Sequence, residues 1–178
     1  MNRFAIRAVA VILTLVVLAP SARADSSHDV VAERGVVVSV EANATDVGLA
    51  VLKRGGNAVD AAVATAFALA VTHPAAGNIG GGGFMMVKMA HCPEPVCVEY
   101  REIAPAAAAP ETLSKLHDAS RGPLSVGVPG TVRGLALAHK QFGCRPWREL
   151  VEPAVRLAED GFEIDAHLAR SLNGWLRA

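Results

Sequence analysis

Aromatic residues are scarce, 4% of the 178-residue chain, which leaves too few rings for a base-stacking platform. There is no surplus of positive charge either. Seventeen Lys and Arg face 17 Asp and Glu, for a formal net charge of zero. A nucleic-acid partner is therefore not expected, since phosphate neutralisation needs a basic excess. Cysteine is limited to Cys92, Cys97 and Cys144, which suits an oxidising compartment without supplying a disulfide scaffold. No Gly-Lys-Ser/Thr closes the glycine-rich stretch and no Gly-x-Ser-x-Gly elbow occurs, so P-loop and α/β-hydrolase chemistry find no support. The only His beside the Cys92/Cys97 pair is His91, too close in sequence for a zinc finger. At 52% hydrophobic and 19% charged, the chain is not intrinsically disordered, and its length suits one domain or a piece of a larger one.

Part of that apolar content reads as an export signal. Arg3 and Arg7 precede an apolar run from Ala8 to Leu18, followed by Pro20 and Ala22-Arg23-Ala24. A positive start, a short apolar stretch and a small-x-small site make residues 1–24 a secretory signal. A stable membrane span needs about 20 apolar residues, so an uncleaved anchor is the weaker alternative. The mature chain is then 25–178, with 14 basic residues against 17 acidic and a net charge of −3. This predicts a periplasmic or secreted protein.

Within it, Val36 to Val40 is β-branched and predicts a buried strand. Asn43 or Thr45 is expected to cap a helix running to about Arg54, with Gly55-Gly56 as its stop. Asn57, with Asp60 three residues on, resembles a capping box for a helix from Ala58 to about Val71. That helix is apolar all round and therefore buried. Pro74 ends it and leaves His73 a helix-terminal residue. Phe84–Met89 and Val96–Glu102 predict a hairpin. In it, Cys92 and Cys97 either pair across the neck or remain free, with Cys144 odd and buried or idle. Helices are expected at Glu111–His117, Thr131–Phe142 and Trp147–Asp160, with a last amphipathic stretch from Asp165. Leu172, Trp175 and Leu176 there lack a partner surface, so a chain cut short is expected.

Two features could carry chemistry. The run Gly80-Gly81-Gly82-Gly83 permits close backbone approach, by a ligand or by another chain segment packing tightly. Arg101, at a strand end between Tyr100 and Glu102, is suited to a bidentate grip on a carboxylate. The alternative is an ion pair with Glu99 or Glu102. No nucleophile–base set can be assembled.

Several stretches resemble the γ-glutamyltranspeptidase family, in family order. The first is Leu52-Lys53-Arg54-Gly55-Gly56-Asn57-Ala58-Val59-Asp60, continuing to Leu69, and then Ile79 to Met85. Arg101-Glu102-Ile103-Ala104-Pro105, Val126 to Leu135, Pro146 to Leu150 and Ala154 to Phe162 follow. The resemblance covers about Val36 to Leu172. It implies an α/β sandwich of the α+β class, the helix-rich portion of an incomplete N-terminal-nucleophile hydrolase αββα fold. It implies action on glutathione and other γ-glutamyl compounds through a γ-glutamyl-Thr intermediate. The Thr would lie in a missing small subunit whose own α-amine can serve as base. No metal or organic cofactor is implied. Arg101 matches the family Arg that holds the α-carboxylate of the γ-glutamyl group, and no catalytic residue carries over. The other readings are a relative acting as a β-lactam acylase, and a non-catalytic exported remnant.

Overall fold

Helix α1, Ala42–Lys53, starts because Glu41 caps it. The Glu41 carboxylate accepts hydrogen bonds from the backbone N–H groups of Asn43 (3.0 Å) and Ala44 (2.8 Å). Asn43 and Thr45 thus lie inside the helix rather than at its cap. A Glu one residue outside the first turn reaches the same orphan donors as a shorter capping side chain. Lys53 sits in the last turn, against the negative end of the helix dipole. Gly55 then reverses the chain at φ 84°, a conformation that favours glycine.

This computed structural model describes residues 31–109, 111 and 125–176. The chain divides into two units, Met1–Arg34 and Gly35–Ala178, and every helix and strand described lies in the second. The signal region 1–24 is outside the described residues. So is the helix expected at Glu111–His117, apart from Glu111.

Helix α2, Ala58–Thr72, opens with the capping box, Asn57 and Asp60 each bonding the other's backbone. Most of its apolar circumference is buried, with Val59, Ala61, Val63, Ala64, Phe67 and Ala68 in the core, though Ala58 and Ala62 are exposed. Burying each Val or Phe contributes about 1.5–3 kcal/mol relative to exposure. His73 forms the C-cap. Helix α1 packs closely on α2. A Cβ on Gly48 would strike the Thr65 hydroxyl and come within 2.9 Å of Val37 Cγ1.

Strands β1, Phe84–Val87, and β2, Val96–Glu99, pair antiparallel, with Phe84 opposite Glu99 and Val87 opposite Val96. Met85, Val87 and Val98 face the core. Helix α3, Thr131–Phe142, contacts both α2 and β2. Helix α4, Trp147–Asp160, packs on α2 through Leu150 and Ala154, and the Trp147 ring meets Phe67 edge-on at 5.5 Å. Gly161, at φ 78°, ends α4. Helix α5, Ala166–Trp175, is capped by Asp165. Helices around a small antiparallel ribbon give the helix-rich α+β arrangement expected.

One strand expectation needs correction. Val36 to Val40 is not a buried strand. Val36, Val38 and Val40 are 55%, 85% and 75% exposed, and only Val37 packs on the core. A strand needs a neighbour to complete its ladder, and β1 and β2 pair only with each other. Of the two alternatives left open for Cys92 and Cys97, the unpaired one is realised, and Cys144 is free as well. Cys97 lies within β2 opposite Met86, whereas Cys92 turns back to donate its N–H to Met89 O, so the hairpin sets them on different segments. Cys144 is exposed rather than buried.

Candidate functional site

The segment Tyr100-Arg101-Glu102 is seated by two sets of glycines and by a β-bridge that follows it. On one side, Tyr100 N–H donates to Gly83 O (2.9 Å) and Gly83 N–H to Tyr100 O (3.3 Å), extending the β1–β2 ladder. A Cβ on Gly82 would lie 2.5–2.8 Å from Tyr100 O, Glu102 N and Arg101 Cα. On another, Gly130 lies against the Tyr100 carbonyl and Gly134 against the Tyr100 ring. On the third, Ile103 and Val128 form an antiparallel bridge. The two glycine stretches are also tied to each other, since Gly81 O accepts from Gly130 N–H (2.8 Å) and Thr131 N–H (3.0 Å). Asn78 Oδ1 completes the junction, accepting from Gly81 N–H and from Thr131 Oγ1, both at 2.8 Å.

The glycine run therefore serves close approach by the chain itself. Of its two readings, the packing one holds among the described residues, and what it packs is the segment carrying Arg101. Composition and spacing do not point to Gly134 or Tyr100. The available signal is the four-residue separation of Gly130 and Gly134, which puts both on one face of a helix.

Arg101 is 60% exposed and its Nε donates to Glu102 Oε2 at 3.2 Å. The ion-pair alternative is thus realised, but only through Nε. Among the described residues the two terminal Nη groups have no partner, which leaves the forked edge open for a planar anion. Hydrogen bonding by its own backbone N–H, and then the Arg101 guanidinium, hold Glu102 below the usual carboxylate range despite some desolvation. Burial pushes the Tyr100 phenol up, so the ring stays neutral and acts as a packing wedge. Arg101 lines a pocket of ≈ 220 Å³ together with Arg133 and Leu137 of α3 and with Val128 and Pro129.

Gly134→Ala tests this seating. Alanine is the better helix former by up to about 1 kcal/mol. Here, however, the new methyl overlaps Cβ and Cγ of Tyr100, and overpacking of that kind costs roughly 1–3 kcal/mol. The expected outcome is a lower urea midpoint. A raised midpoint would contradict the close approach.

A second polar cluster lies where α2 meets the loop between α3 and α4. Asp60, with no exposed surface, accepts from the backbone N–H groups of Asn57 (3.0 Å), Cys144 (3.1 Å) and Arg145 (3.3 Å). The Cys144 thiol donates to it as well, at 3.0 Å. Burial pushes the Asp60 carboxyl up, but these hydrogen bonds outweigh it and hold it below its ordinary value. The same contact pushes the Cys144 thiol up, so the thiol is protonated at neutral pH and a poor nucleophile. This cluster is structural.

The sequence profile of the Gamma-glutamyltranspeptidase family matches residues 44–177. The glutathione hydrolase proenzyme of Escherichia coli strain K12 is 46% identical over 157 residues, which is 83% of this chain and 26% of that protein. The crystal structure of Helicobacter pylori γ-glutamyltranspeptidase superposes with a TM-score of 0.76 at 42% identity, covering 82% of this chain and 43% of that one. A cephalosporin acylase from Bacillus halodurans gives a TM-score of 0.70 at 30% identity, over 83% of this chain and 29% of that one. The chain thus spans about a quarter of the length of its curated bacterial relative. Profile, identity and superposition agree with one another, and the chain belongs to the γ-glutamyltranspeptidase family.

Proposed function

We propose that residues 25–178 are the N-terminal portion of the large subunit of an exported γ-glutamyltransferase or glutathione hydrolase, delivered by the signal at 1–24. Arg101 holds the α-carboxylate of the γ-glutamyl donor. The observation that carries this reading is an Arg whose terminal guanidinium nitrogens have no partner among the described residues, on a segment packed against glycines, in a chain of this family. The nucleophile is a Thr outside these 178 residues, at the N-terminus of a small subunit released from a precursor. Its hydroxyl attacks the γ-amide carbon while its own amine takes the proton, and the leaving amine departs protonated. The resulting γ-glutamyl ester passes to water or to an acceptor amine. The word proenzyme in the relatives' names supports processing of a precursor.

A β-lactam acylase reading has the Bacillus halodurans neighbour in its favour. The higher identity to glutathione hydrolases, 46% against 30%, favours γ-glutamyl substrates, as does Arg101. The distinguishing experiment assays a γ-glutamyl anilide and a cephalosporin side-chain amide. Both are offered to the 178-residue chain and to the full-length protein obtained by reading the gene beyond Ala178. Full-length protein is expected to turn over the anilide, and the 178-residue chain neither substrate. Turnover by the isolated chain would overturn the placement of the nucleophile. A stop codon directly after Ala178, with no activity, would identify an inactive remnant.

A further inference from the structure

Arg133 projects from the first turn of α3 into the pocket that Arg101 borders. Arg101 is already engaged by Glu102 through one nitrogen. Arg133 has no hydrogen-bond or ion-pair partner among the described residues. Glu99 lines the same pocket and makes no ion pair with it. An exposed Arg is ordinary by itself. Here it lines the same pocket as a second guanidinium, and the start of its helix is tied to the glycine run by the Gly130 and Thr131 N–H bonds to Gly81 O. Among the described residues three charged side chains line the pocket, Glu99, Arg101 and Arg133. A ligand that matches them carries two carboxylates and one ammonium.

We infer that Arg133 is a specificity-determining residue that contacts a second carboxylate, on the leaving-group side of the donor. The protein then prefers γ-glutamyl peptides ending in a free carboxylate over γ-glutamyl amides with a neutral leaving group. The inference rests on the proposed γ-glutamyl reading and names the donor class for the same site. A planar guanidinium is the appropriate partner for a terminal carboxylate, and its loss leaves that carboxylate without a charge-assisted hydrogen bond.

The test compares glutathione with its C-terminal amide as donors for the full-length protein. The comparison is run on the wild type and on the Arg101→Ala, Arg133→Gln and Arg133→Lys variants. Wild-type kcat/KM is expected to favour glutathione over the amide by about tenfold, the scale of one charge-assisted hydrogen bond. Arg133→Gln should collapse that ratio towards one, and Arg133→Lys should restore part of it through charge alone. Arg101→Ala should lower both donors together. The donor pair alone tests the inference even if a variant fails to fold, because the amide removes the charge from the ligand. An equal kcat/KM for the two donors in wild type, or a ratio that survives Arg133→Gln, overturns the role of Arg133. The γ-glutamyl reading stands in that event as long as Arg101→Ala is impaired. An unimpaired Arg101→Ala overturns that reading, and this inference with it.

Discussion

Arg101→Ala is expected to lower kcat/KM of the full-length protein for γ-glutamyl donors by at least about a hundredfold. Truncation leaves a bound carboxylate without its charge-assisted, forked partner, a loss on the order of 3 kcal/mol. If the α-carboxylate is held equally in the ground and transition states, the loss falls on KM. If the grip tightens as the γ-carbonyl is attacked, kcat falls too. Arg101→Lys should recover only a small part, because an ammonium supplies charge without the planar fork. A donor lacking the α-carboxylate supplies the control, since the Arg101→Ala penalty should vanish on it. Unchanged KM and kcat for γ-glutamyl donors would sink the assignment. The effect should be local. The side chain is 60% exposed and makes no core contact, so the thermal midpoint should move little.

Asp60→Ala is expected to give the largest loss of stability. The carboxylate is fully buried. It satisfies backbone N–H groups on both sides of the junction between α2 and the α3–α4 loop, at Asn57, Cys144 and Arg145. Asn57 ties the same junction a second time, its side-chain amide donating to Phe142 O at 2.6 Å. Removing the acceptor orphans several buried donors at once and leaves a cavity, which should cost on the order of 3 kcal/mol or more. Asp60→Asn should be intermediate, since it keeps one acceptor oxygen but turns an NH₂ towards donors. Hydrogen exchange gives a local reading, with the amides of Cys144 and Arg145 expected to lose protection first. Unaltered protection in Asp60→Ala would show that the loop is held by packing alone.

The same carboxylate sets a pH dependence. Its folded pKa lies below the ordinary value, so the unfolded chain binds the proton more readily. The stabilisation is therefore fully present above the unfolded pKa of about 3.9 and is lost as pH falls through the lower, folded value. Wild-type protein should lose this part of its stability only below about pH 4, and Asp60→Asn should lack it. Identical acid profiles for the two would remove Asp60 as the cause.

Much of the architecture was legible because it depends on neighbours in sequence. The Asn57–Asp60 capping box, the all-apolar α2, the Gly161 stop and the Phe84–Glu99 hairpin each follow from local propensity or short-range pattern. Family membership was legible for the same reason, as blocks of contiguous residues. The α1 cap apart, where Glu41 replaces Asn43 or Thr45, the errors fall where a distant partner decides. A Val-rich run is indifferent to whether a strand lies beside it, so Val36 to Val40 carried strand character without a ladder. The spacing of Cys92 and Cys97 left their pairing open, because the register of the hairpin governs where they stand. Cys144 gave no hint that its thiol would meet a carboxylate 84 residues away.

The sequence by itself determined the elements, the family and Arg101 as the residue to watch. Only the tertiary structure decided that Gly82, Gly130 and Gly134 clasp the segment bearing Arg101. It also decided that one nitrogen of that guanidinium is spent on Glu102 and that Arg133 shares its pocket. Caps and helices are fixed by contacts within a turn or two of the chain. A site is fixed by where separate segments cross, and that distance is set by packing of the whole core.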